Sequence, residues 1–127
     1  MTKSRQKKRQ PQYNPTAITI LLQDISDHVI KEEDWKRIET INYYDDASLH
    51  GVFLEFSRAA YQKTSDTDRK EAKLALREAI EESNYNYDLI WGMMAFPFIF
   101  SDDINDPQRF LKLLWRALFD QDFQATI

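Results

Sequence analysis

The chain has 127 residues and 15.1 kDa, with 17 Lys and Arg against 21 Asp and Glu, for a net charge of −4. Two glycines, two valines and no cysteine exclude Gly-rich and most hairpin-rich β architectures, disulfides, a thiol nucleophile and Cys-ligated metal centres. Hydrophobic residues make up 43% and aromatics 13%, too many for a disordered chain; a body of this size buries roughly two-thirds of its unfolded surface.

The modest net charge hides an asymmetry. Lys3, Arg5, Lys7, Lys8 and Arg9 give residues 1–9 a charge of +5 with no acid, and the remainder carries −9. Short basic arms contact phosphates or anionic lipid. The expectation over 1–13 is a disordered basic arm. It makes weak, salt-sensitive contacts with nucleic acid, solubilises the chain, or folds back on the acidic body. No apolar run follows it at signal-peptide distance. The longest run without a polar side chain, Leu89 to Phe100, falls short of the ~20 residues of a membrane helix. A soluble, cytoplasmic protein without membrane contact is expected.

From residue 14 onward the pattern is helical. Asn14-Pro15 opens a helix whose stripe is Ile18, Leu21, Leu22, Ile25 and Val29. A second helix covers about 32–42, with Glu32, Glu33 and Asp34 in its first turn and Trp35, Ile38 and Ile41 on one face. Asp45-Asp46 caps a third, running to about Gln62 with Leu49, Val52, Phe53, Phe56, Ala59 and Ala60 inward. Gly51 lies inside it, where small size suits a close helix approach. Ser65 and Asp68 form a capping box for a helix over about 67–83, lined by Ala72, Ala75, Leu76, Ala79 and Ile80. Asp88 caps a helix of about 88–96 that Pro97 ends. Asp106-Pro107 repeats the cap-then-proline signature, and Phe110, Leu111, Leu114, Ala117 and Leu118 follow, widened by Trp115 and Phe119. The expected fold is all-α: a single compact domain over 14–127 of about six helices, orthogonal or bundle-like.

Catalytic signatures are missing. There is no G-x-S-x-G, H-E-x-x-H or C-x-x-C, and the lone Gly51 and Gly92 cannot build a phosphate loop. The acidic stretch Ser101 to Asp106 fails the calcium-loop pattern, since Gln108 and Leu114 stand where Gly and Glu belong. Glu81-Glu82 lacks neighbours that would tune an acid–base couple. Asp24 precedes His28 by four residues and Asp46 precedes His50 by four, so each carboxylate shares a helix face with an imidazole. Were those faces to meet, they would form a metal site, which makes a small helical metalloprotein a third reading.

Two features suit binding. Arg69, Lys73 and Arg77, with Lys70, line the fourth helix at one-turn spacing and would face phosphates in a helix-turn-helix. Glu71, Glu78, Glu81 and Glu82 interrupt them, which favours a solvated surface. Arg109, Lys112 and Arg116 make a second stripe. Residues 85–100 hold Trp91, Met93, Met94, Phe96, Phe98 and Phe100 with Asp88 as the lone charge, the composition of a buried helix or an interface core. The leading expectation is a non-enzymatic helical protein-binding module, an adaptor, inhibitor or accessory subunit without cofactor. It contacts a protein partner, a basic one or a second copy of itself, through that run. The alternative is a nucleic-acid-associated accessory protein acting through the arm.

Overall fold

A computed structural model describes residues 11–26, 29–82, 85–91 and 106–124. The fold is all-α. The helices are α1 (Thr16–Thr19), α2 (Glu32–Glu39), α3 (Asp46–Val52), α4 (Arg58–Lys63), α5 (Asp66–Glu81), α6 (Asp88–Trp91) and α7 (Pro107–Phe119). A π-helical turn, Phe53–Ser57, joins α3 to α4 without a break. Counting that rod as one element gives six helices among the described residues, in line with the expected number. Among the described residues there is no strand, and no helix is long and apolar enough to cross a membrane.

Local chemistry starts the elements where the sequence predicts. Asn14 Oδ1 accepts the Thr16 N–H at 3.0 Å. Asp45 accepts the Ser48 N–H at 3.0 Å and the Ser48 hydroxyl at 2.6 Å. Ser65 Oγ accepts the Asp68 N–H at 3.1 Å, and Asp106 Oδ1 accepts the Arg109 N–H at 3.2 Å with Pro107 in the first turn. Each satisfies an amide the helix itself cannot pair and is worth ~1 kcal/mol. Asp88 is a correction. Its own N–H is bonded by Asn86 Oδ1 at 3.2 Å, so Asn86 supplies the side chain before α6.

The first helix is shorter than expected. After α1 the chain turns through a 3₁₀ segment, Gln23–Ile25, and leaves it at Ser26 in extended geometry. Thr19 Oγ1 bonds the Thr16 carbonyl at 2.6 Å and Ser26 Oγ the Gln23 carbonyl at 2.5 Å. Such local bonds compete with the α-helical ladder. Ile18, Leu21, Leu22 and Ile25 still reach the core, but Val29, past the break, is 51% exposed.

The rod carries a second correction. A π turn inserts one residue and rotates the face that follows. Ser57 therefore becomes fully buried and Phe56 only partly so. Nor does Gly51 make a close approach among the described residues: a Cβ built there meets none of them within 4 Å.

One core joins the described elements. α7 packs on α3, the π turn and α5, while α1 packs on α5 and α6. Its centre is aromatic: Phe110 meets Phe53 edge-on at 5.0 Å between ring centroids and stacks with Tyr43 at 6.5 Å. Ala72, Ala75, Leu76, Ala79 and Ile80 of α5 are all buried, as are Phe110, Leu111, Leu114, Trp115, Ala117 and Leu118 of α7. Burying each large side chain contributes roughly 1.5–3 kcal/mol. Trp115→Ala would cost about 3–5 kcal/mol.

Candidate functional site

The cations singled out on α5 divide between two tasks. Arg69 ties off the turn before its helix. It donates to the carbonyls of Gln62 at 3.2 Å and Thr64 at 2.7 Å and pairs with Asp66. Lys73 and Arg77 lie over aromatic rings. Lys73 Nζ is 4.9 Å from the Phe119 centroid and 5.9 Å from that of Trp115. The Arg77 guanidinium is 5.2 Å from Trp115 and 5.7 Å from Phe123. Ring faces are electronegative and attract cations at these distances. Trp115, Phe119 and Phe123 themselves cluster, with centroids 4.4 and 5.0 Å apart from the Trp115 ring. Phe123, beyond the end of α7, is the member sequence reasoning missed. Its only trace there is the spacing of four from Phe119.

The second basic stripe is tied to the rod. Arg109 donates to Asp46 Oδ1 at 2.8 Å and to the Tyr43 carbonyl at 3.0 Å, with its guanidinium over the Tyr43 ring. Arg116 approaches Asp122 at 3.7 Å. Lys112 lines an open hollow with Asp46, Asp106, Gln108, Arg109 and Leu113.

His50 is not oriented by Asp46, which is turned to Arg109. Its Nε2 is buried with no hydrogen-bond partner among the described residues. Burial, and then the neighbouring positive charge of Arg116, push its pKa below the usual 6.5. His28 lies outside the described residues. Among those described, no group of three or more His, Asp or Glu could hold a metal ion. Other buried polar atoms have a structural rather than a chemical setting. Among the described residues, neither Ser57 Oγ inside the π turn nor the Tyr85 hydroxyl beside the core has a hydrogen-bond partner. Burial, then the Glu78 and Tyr87 charges, raise the Tyr85 pKa to about 12.

The aromatic and Met-rich run falls largely outside the described residues: Met93, Met94, Phe96, Phe98 and Phe100 do, and of Trp91 only the backbone place at the end of α6 is described. The residue before it, Ile90, is fully buried. On the far side, the Asp106 cap and the buried Phe110 hold the start of α7. The described residues on either side of the run, Ile90 and Asp106, are thus fixed on the core.

Arm residues Lys3, Arg5, Lys7, Lys8 and Arg9 also lie outside the described residues, but the root of the arm does not. Gln12 and Tyr13, expected within the arm, belong to the body: Glu78 accepts both their backbone N–H groups, at 2.7 and 3.0 Å, and Tyr13 packs partly buried against the core. Gln12, Tyr13, Leu74, Arg77, Glu78, Glu81 and Glu82 line an open groove of about 330 Å³. Compared with known protein families, with curated proteins and with solved structures, the chain shows no match in any of the three.

Proposed function

We propose that this chain is a non-enzymatic, helical protein-binding module whose contact surface is the run Trp91, Met93, Met94, Phe96, Phe98 and Phe100. The supporting observation is the placement of twelve successive uncharged residues, Leu89 to Phe100, between two points fixed on the core. Aromatic side chains bury much area at little cost in rotamer freedom, and the flexible Met adapts its shape to a partner, so together they are the material of interface cores. The acidic body sets the partner's chemistry: complementary, hence basic, surfaces associate faster and more selectively.

The engagement of the body's cations supports the same reading. Arg69, Lys73, Arg77 and Arg109 make contacts within the chain, and using them on phosphate would sacrifice those contacts. The second reading, a nucleic-acid role, is carried by the five arm cations.

A pull-down with a tag after Ile127, split into nuclease-treated and untreated halves, tests both. Capture that survives nuclease and is lost in Trp91→Ala/Phe98→Ala, with helical circular dichroism unchanged, supports the module. Capture indifferent to that double substitution overturns it. Capture that vanishes with nuclease and with deletion of residues 1–10 supports the arm.

A further inference from the structure

The end of α5 is electrostatically unusual. Its C-terminal turn holds Glu78 and Glu81, followed by Glu82, and contains no basic residue, whereas α2, α4 and α7 each place Lys or Arg in their last turn. A helix C-terminus carries a partial negative charge, so acids there are unfavourable and cations favourable. Glu78 and Glu82 are also one turn apart, a like-charge spacing that destabilises an isolated helix. Arg77 points its guanidinium to Trp115 and Phe123. Arg77 also lines the groove at this end, so its lining carries one cation against Glu78, Glu81 and Glu82 and is net negative, with Leu74, 41% exposed, as its apolar part.

The chain's own arm enters at this place. The two Glu78 oxygens hold consecutive backbone amides, of Gln12 and Tyr13, which fixes where residues 1–10 leave the body. An extended chain spans at most ~3.5 Å per residue, so Arg9 stays within about 11 Å of that anchor. The tether holds five cations at high effective concentration against the acids. We propose that the basic arm, residues 3–9, docks in this groove on the acidic end of its own α5, with Glu78 as the clamp at its root, and that external polyanions compete with the groove for the arm. The proposal stands independently of the protein-binding reading.

The absence of cysteine makes the test direct. Ser4→Cys in the full chain carries a single nitroxide, and broadening of backbone amide NMR signals reports what the arm visits. At ~0.01 M salt, where charges act over about 30 Å, the Leu74, Glu81 and Glu82 signals should broaden; at ~1 M, where the range is about 3 Å, they should sharpen. Glu81→Gln/Glu82→Gln should weaken the broadening and tighten binding of a short fluorescent single-stranded DNA several-fold. Sharp groove signals at low salt overturn the proposal. So does broadening that ignores salt or charge neutralisation, or broadening that appears only when spin-labelled and isotope-enriched copies are mixed, which would assign the groove to a second molecule's arm. Should the double variant fail to fold, the salt dependence of the parent chain decides.

Discussion

Arg58 and Asp120 form a two-point ion pair, Nη1 to Oδ1 at 2.8 Å and Nη2 to Oδ2 at 2.9 Å, across 62 positions of sequence. It joins the start of α4 to the residue that ends α7. Asp120 adopts the left-handed conformation, φ 57°, the lone non-glycine residue to do so among those described. Its carboxylate is 65% exposed, so solvent screens the pair. Asp120→Asn should cost less than about 1 kcal/mol, since Asn tolerates that backbone and only the screened charge is lost. Asp120→Val should cost about 1–2 kcal/mol more, because a β-branched side chain opposes positive φ. Urea unfolding of both variants separates backbone from charge. Equal losses would mean the ion pair, not the turn, holds this end of α7.

Gly51 should be replaceable with profit. It is exposed within α3, its φ is not positive, and no described residue lies within 4 Å of a Cβ placed there. Gly51→Ala should therefore raise stability by about 0.5–1 kcal/mol, from reduced unfolded-state freedom and better helix propensity. The melting temperature checks it. A fall would show that this face of the rod is covered by residues 92–105.

Ser57 offers a similar test inside the core. Its hydroxyl is fully buried with no partner among the described residues. An unmet hydroxyl contributes its desolvation cost and nothing in return. Ser57→Ala should leave stability unchanged or raise it by about 1 kcal/mol. A loss above that would show that the hydroxyl finds a partner in solution, such as an inserted water bridging the π turn.

Stability should fall on acidification through His50. Its folded-state pKa lies below the unfolded value of 6.5, chiefly because burial disfavours the imidazolium, with Arg116 adding repulsion. Above pH 6.5 the ring is neutral in both states and its contribution is complete. Below 6.5 the unfolded chain takes up the proton first, so stability drops until the folded pKa is passed. Comparing urea midpoints at about pH 7.5 and about pH 5.5 for the parent chain and His50→Gln isolates the effect. The variant should lose less stability on acidification. Identical losses would assign the acid sensitivity to carboxylates.

The two readings of Tyr43 and Arg109 show where local pattern stops. Tyr43 follows a helix and precedes a cap, and its neighbours predict only a short connection. In the fold its ring stacks on Phe110 and carries the Arg109 guanidinium. Arg109 reads as one member of a basic stripe, yet it bonds Asp46 across 63 positions. Lys73 and Arg77 repeat the lesson: helical spacing places them in a row, but the rings beneath them come from α7 and the segment after it. Val29 and Phe56 fail for another reason. Each apolar stripe runs through a point where the helical period changes, at the Ser26 exit and at the π turn.

The sequence by itself determined the all-α class, four of the helix caps and nearly all of the inward faces of α5 and α7. Caps act between residues two or three apart and amphipathic stripes repeat every turn, so both are written in local order. Tertiary structure alone decided which cations meet rings, carboxylates or carbonyls, that Glu78 clamps Gln12 and Tyr13, and that Ser57 rather than Phe56 is enclosed. The Ser57 register follows from the π turn, a local change of helical period; the pairings of Lys73 with Phe119 and of Glu78 with Tyr13 depend on which elements come to lie side by side, and contacts across some forty to sixty-five positions leave no periodic trace in the chain.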